Sequence, residues 1–287
     1  LHDPRYPAES GLLSCVKKGS LTCGLDQIGP GKDTEGSDWI ISMIDKPDLR
    51  PAWITIWGAP TDLAQALWRV TADRNPEDAK RFKEKIRVYS VCDQYDTTGS
   101  WIRENHPDIF YITAYTVCRG MYRGGDSSTV TPEWLQTNIC KGHGPLGTSY
   151  PIYNGGDIYT ATLGAVRGTK EGDTPSFLYL VPNGLGNPEN PTWGNWGGRF
   201  TASEKYPETQ FFDAVDSYGP ESNEWATVHR WRPAFQADFQ ARMDWCVKPY
   251  SSANHPPVAV FAGKDEQRFK SGSEVVLSAE SSYDPDG

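Results

Sequence analysis

Residues 52–93 read AWITIWGAPTDLAQALWRVTADRNPEDAKRFKEKIRVYSVCD, and this stretch decides the fold. Ala52 to Trp57 is rich in β-branched and aromatic residues, which suit the pleated surface of a strand. Gly58-Ala59-Pro60 breaks that strand. Thr61 or Asp62 then serves as a helix cap, with Asp62 favourable near the positive helix end. Leu63, Ala66, Leu67 and Val70 give the three-and-four spacing of a buried helical face. Asn75-Pro76 starts a second helix, a cap followed by proline in the first turn. Glu77 and Asp78 fill that turn, and Ala79, Phe82 and Ile86 form its stripe. Arg87 to Val91 (RVYSV) returns as a strand and ends at Cys92-Asp93. A strand, a helical crossover and a second strand of this length argue a parallel α/β unit.

The pattern extends outward from there. Ile109 to Thr113 (IFYIT) predicts the next strand. Asp173-Thr174-Pro175 opens a segment over 176–181 that leaves at Asn183-Gly184; a short helix fits, and a strand is the alternative. Arg232-Pro233 opens a helix to about Cys246, with Phe235, Phe239, Met243 and Cys246 on one face. Composition changes after Val247. Residues 248–257 (KPYSSANHPP) are linker-like. Val258 to Phe261 and Ser273 to Ser278 then predict two strands of a β-sandwich, too few to bury a core alone. The expected organisation is an α/β domain over 1–247, a linker over 248–257, and the start of an immunoglobulin-like sandwich over 258–287.

Composition narrows the function classes. Lys+Arg 28 against Asp+Glu 37 gives a net charge of -9, which offers no positive field for a nucleic-acid polymer. Aromatics at 12% argue against disorder. No apolar run reaches the length of a membrane span, so no membrane partner is expected. The sequence has no basic, apolar leader and no initiator Met, and both ends read as cut from a longer chain. Six cysteines, Cys15, Cys23, Cys92, Cys118, Cys140 and Cys246, fit an exported, oxidised protein, with buried free thiols as the other reading. Cys15 and Cys23 are close enough for a local loop, Cys118 and Cys140 bracket a Gly- and Ser-rich stretch, and Cys92 reads as a buried thiol. No C-x-x-C or H-x-x-x-H spacing points to zinc.

Trp57 to Leu67 (WGAPTDLAQAL) resembles the G-P-x-T-N-L-A motif of nucleoside hydrolases. GKDTEGSDWII at 31–41, DQYD at 93–96, WIRENHPDIFYI at 101–112, EGDTPSFLYLVPNGL at 171–185, GGRF at 197–200 and RWRPAFQADFQARMDW at 230–245 resemble, in the same order, a secreted nucleoside-hydrolase-like family described as cellulose-binding. The resemblance implies a mostly parallel sheet with flanking helices, a C-terminal immunoglobulin-like domain, and export from the cell. It implies a hydrolase acting on a glycosidic or N-glycosidic bond of a carbohydrate or nucleoside, assisted by a divalent cation, with Ca2+ the expected ion. The alternative is a non-catalytic carbohydrate- or cellulose-binding protein on the same scaffold. Two departures bear on this choice. The family's early acidic strand-end motif is missing from residues 1–50 and is expected before Leu1, so tight calcium binding by this chain alone is not expected. Gly172 stands where nucleoside hydrolases carry a His before their late metal-binding Asp.

Cleaving a bond at an anomeric carbon builds positive charge that nearby carboxylates stabilise. In open α/β sheets such groups gather at the carboxyl ends of the strands. Asp93 and Asp96 have that address and are the catalytic candidates, or else a solvated Asp-rich turn. By resemblance Asp173 is the candidate metal ligand, or else only a helix cap. By the same resemblance, Asp33 and Glu35 sit where the family carries a substrate-pocket loop and are substrate-binding candidates. Trp193 and Trp196, in a Gly- and Asn-rich loop, are candidates for stacking on sugar, or for roofing the core. Trp101 and Arg103 are candidates for the same mouth, and Asn183 for hydroxyl contact.

Overall fold

The computed structural model describes residues 6–94, 97–155, 164–263 and 268–287. After a short helix α1 (Glu9–Leu13) come α2 (Glu35–Ile44), β1 (Ala52–Ile56), α3 (Thr61–Asp73), α4 (Pro76–Glu84), β2 (Ile86–Val91), α5 (Thr98–Asn105) and β3 (Phe110–Ala114). Further on are a short helix α6 (Pro175–Leu178), β4 (Phe200–Ala202), β5 (Gln210–Asp213), a hairpin of β6 (Asp216–Tyr218) and β7 (Glu221–Asn223), and the long helix α7 (Arg232–Trp245). The main sheet runs β1-β2-β3-β5-β4. β1, β2, β3 and β5 are parallel, in a register that sets Ile54 beside Val88 and Tyr111 beside Gln210. Only β4 is antiparallel. The expected α/β fold with a mostly parallel sheet and flanking helices is therefore present.

β3 is buried along its whole length, as parallel strands covered on both faces must be. Successive residues feed opposite cores. Val88, Tyr111 and Ile86 face α3, α4 and α5 through Leu67, Val70, Phe82 and Ile102. Tyr89, Phe110 and Ile112 face the other way, onto Tyr179, Trp196, Phe200 and Phe235. The stripe read for α3 is the buried one. Asn75 caps α4 as expected, accepting from the Asp78 N–H at 2.9 Å. The α3 cap differs. No side chain caps this helix. Instead the Asp62 carboxylate accepts from Ser20 N at 3.1 Å and Thr34 Oγ1 at 2.5 Å, tying the N-terminal segment to the start of α3.

Three expectations need correction. Among the described residues of 258–287, neither Val258 to Phe261 nor Ser273 to Ser278 is a regular strand, and the pairing is one antiparallel bridge, Val258 with Tyr283. Val276 and Leu277 stay exposed there because these few residues enclose no core. Cys246, assigned to the α7 stripe, is exposed, whereas Phe235 and Met243 are buried. All six cysteines are free thiols, and Cys118 lies against Cys92.

Candidate functional site at the carboxyl edge of the sheet

Because four strands run parallel, their carboxyl ends open on one edge. A cavity of about 430 Å³ sits there. Cys92, Asp93 and Gln94 line it from the end of β2; Cys118, Arg119 and Tyr122 from the turn after β3; Lys170, Gly172 and Asp173 from the segment before α6. Lys170 lies over the Tyr122 ring at 4.6 Å.

β2 ends in two consecutive left-handed residues, Cys92 at φ 70° and Asp93 at φ 43°. Neither is glycine, so this turn stores strain of about 1–3 kcal/mol per residue. The Asp93 side chain holds it in place. Its carboxylate accepts from Ser90 Oγ at 2.5 Å, from Tyr111 Oη at 2.7 Å, and from the Arg103 guanidinium. Gly99, in the first turn of α5, packs directly on that carboxylate; a Cβ there would come within 2.4 Å of it. The Asp93 side chain is only 5% exposed. Asp93 therefore borders the cavity with its backbone, while its carboxylate is committed inward. Arg103 is the matching cation, not a group at the mouth. Asp96 lies outside the described residues.

Asp173 is different. Thr174 holds the α6 cap position, and Asp173 supplies only its carbonyl, to Ser176 N at 3.1 Å and Ser176 Oγ at 2.7 Å. Its carboxylate accepts no hydrogen bond among the described residues. Burial pushes its pKa above the ordinary carboxylate range, with no donor to pull it back. Ser176 Oγ also accepts from Trp57 Nε1 at 2.8 Å, linking Asp173 to an exposed indole just past β1.

The other candidates fall elsewhere. Asp33 is bound by Gln65 Nε2 at 2.8 Å and by Arg69, both on α3. Glu35 accepts from Lys18 N at 3.3 Å. Trp101 packs edge-on against His106 beside the α3–α5 core. Asn183 Oδ1 accepts from Leu185 N at 3.0 Å and shapes a turn. None of the four lines the cavity. Trp196 is 9% exposed and belongs to the core, whereas Trp193 is 65% exposed on the outer surface, away from the cavity lining.

Two residues that shape the site carried no expectation. Asp213, at the end of β5, accepts from the N–H groups of Tyr115, Thr116 and Val117 at 3.1, 2.5 and 3.2 Å. Burial raises its pKa and those bonds oppose the rise. It fixes the turn that presents Cys118 and Arg119. Arg232, fully buried at the start of α7, donates to the carbonyls of Gly120, Arg123, Gly124 and Asp126. It clamps the loop that carries Tyr122. A strand-end Asp after QFF was a visible signal for the first; nothing local distinguished Arg232.

Calcium takes six to eight oxygens. Among the described residues the cavity offers one open carboxylate, since Asp93 is committed. No group of three or more His, Cys, Asp or Glu side chains among the described residues is placed to hold a metal. The described donors do not fit a calcium ion by themselves. No helix among the described residues is long and apolar enough to cross a membrane.

A mostly parallel sheet with a cavity at its carboxyl edge is the arrangement in which open α/β domains bind ligands. The family model "Cellulose-binding Sde182, nucleoside hydrolase-like domain" matches residues 1–200, and the chain belongs to this family. Among solved structures it is similar to a nucleoside hydrolase-related hypothetical protein from Saccharophagus degradans that is associated with carbohydrate metabolism. Identity is 33%, the match covers 100% of this chain and 67% of that chain, and the TM-score is 0.76. No curated protein matches the chain.

Proposed function

We propose that the cavity at the carboxyl edge binds a carbohydrate, with cellulose-derived chains as the first class to test. The observation that carries this is Asp173: a half-buried carboxylate with no hydrogen-bond partner among the described residues, in a cavity that Lys170 and Arg119 also line. An open acceptor in a cavity whose wall also carries cations suits sugar hydroxyls, which both give and take hydrogen bonds. Trp57, joined to Asp173 through Ser176, adds a flat exposed ring at that side. Family membership and the relative's association with carbohydrate metabolism support the same reading. An extracellular location goes with it, since cellulose is an extracellular polymer.

Retention on insoluble cellulose and calorimetry with cellohexaose test the proposal. Measurable binding is expected, weakened roughly tenfold or more in Asp173→Asn by loss of a charged acceptor. No retention, and no heat at millimolar saccharide, would defeat it. Binding is also expected to fade as pH falls through the raised Asp173 pKa, because protonation removes the acceptor.

The same residue predicts a trade-off in stability. A raised carboxyl pKa means that the folded state resists ionisation, so this group's contribution declines as pH rises through it. Asp173→Asn removes that burden. The variant is expected to melt no lower than the wild type at pH 7, with any advantage shrinking toward the acid range. A variant that melts much lower at pH 7 would show Asp173 to be structural.

Hydrolysis of a glycosidic or N-glycosidic bond is the second reading, favoured by the raised pKa of Asp173, which suits a proton donor. Its other carboxylate would have to come from outside the described residues. Product release from nucleosides and oligosaccharides, with and without chelator, tests it; no turnover of any of these substrates would end it.

A further inference from the structure

Cys92 and Cys118 face each other across the cavity wall with their sulfurs 3.9 Å apart. Each is brought there by its own device. The left-handed turn pinned by Asp93 presents Cys92. The 3-10 turn Val117–Met121, organised by Asp213, presents Cys118. Cys92 is half-buried, open toward the cavity, and donates to the Tyr115 carbonyl at 3.0 Å. Cys118 is 4% exposed and backed by the core. One thiol is thus accessible and the other shielded directly behind it. A disulfide spans about 2.05 Å, so closing the pair needs a movement of roughly 2 Å, within reach of side-chain rotation with a small backbone shift.

We propose that Cys92 and Cys118 are a thiol–disulfide site built into the wall of the ligand cavity. The hydrogen bond from the Cys118 thiol, with Arg119 nearby, holds Cys92 below the ordinary thiol range; the Cys92 contact and burial push Cys118 up. Cys92 is therefore the attacking thiolate and Cys118 the resolving thiol. The oxidant is a small-molecule disulfide such as oxidised glutathione. The Cys92 thiolate attacks one of its sulfurs and expels one glutathione thiolate, which takes a proton. Cys118 loses its proton to solvent and attacks the Cys92 sulfur, expelling the second glutathione. One S–S bond forms in the protein, one breaks in the oxidant, and two reagent thiols appear. The new bond joins the β2 and β3 edge loops.

The test incubates the chain with oxidised glutathione and maps peptides by mass spectrometry without reduction. A Cys92–Cys118 peptide pair two hydrogens lighter than its reduced parts is expected, with a melting temperature that rises and returns on adding dithiothreitol. In Cys118→Ala, a stable glutathione adduct on Cys92 is expected. Cys118 joined to Cys140 would overturn the assignment. So would both thiols remaining alkylatable after the exposed Cys15 and Cys23 have reacted. The mapping needs no sugar ligand, so its outcome is independent of the carbohydrate reading. It needs no variant either, so a poorly folding Cys118→Ala leaves the wild-type result decisive.

Discussion

Arg232→Met is expected to cost about 4 kcal/mol of folding free energy, among the largest losses a single change produces. The guanidinium is fully buried and donates to four backbone carbonyls of the 120–126 loop, at 2.5–2.8 Å. Burial pulls its pKa down to about 10, which leaves it charged at neutral pH. A charged donor to neutral acceptors makes stronger bonds than an amide does. Methionine fills much of the volume but satisfies none of the carbonyls, each of which then costs about 1–3 kcal/mol if it stays dry. The total is held near 4 kcal/mol because the loop opens to water. That opening would also displace Tyr122 from the cavity wall. Urea unfolding measures the loss, and ligand titration measures the accompanying drop in affinity. A change under about 1 kcal/mol would mean that the clamp is dispensable.

Asp93→Ala is expected to cost about 3–5 kcal/mol, the range for breaking a buried ion pair from one side. Arg103 would keep its charge in a site only 11% exposed, with its carboxylate gone. Tyr111 and Ser90 would lose their acceptor, and the left-handed turn at Cys92 would lose its anchor. Asp93→Asn keeps one oxygen for the hydroxyl donors and is expected to lose about half as much. The graded series separates two roles. A structural carboxylate lowers stability in proportion to the bonds removed. A catalytic one would leave the melting temperature unchanged and abolish only turnover or binding, and that result would restore Asp93 to the reacting centre.

Much of the scaffold was legible in local signals. Apolar spacing gave α3, propensity gave β1, β2 and β3, and the Asn75-Pro76 cap placed α4. These elements depend on neighbours within one helical turn or one strand, so a linear reading reaches them. The site was legible only by address. Asp93 and Asp173, both expected at strand ends or the loops beside them, line one cavity. Their roles were not legible, because a carboxylate is defined by its partners. Asp93 has Arg103 and Tyr111, 10 and 18 positions away, while Asp173 has no acceptor bond among the described residues. Trp193 and Trp196 show the same limit: three positions apart in one loop, one lies outside and the other in the core.

By itself, the order of residues determined the alternation of strands and helices, and hence a parallel sheet, since a helical crossover returns the chain to the same starting edge. It also put carboxylates such as Asp93 in the loops where those strands end. Tertiary structure alone decided which carboxylate is spent on an arginine and which stays open, that Arg232 holds a loop more than 100 positions away, and that Cys92 meets Cys118. The reason is physical: helices and turns form between near neighbours, whereas desolvation and charge pairing depend on whatever the fold brings within a few ångströms.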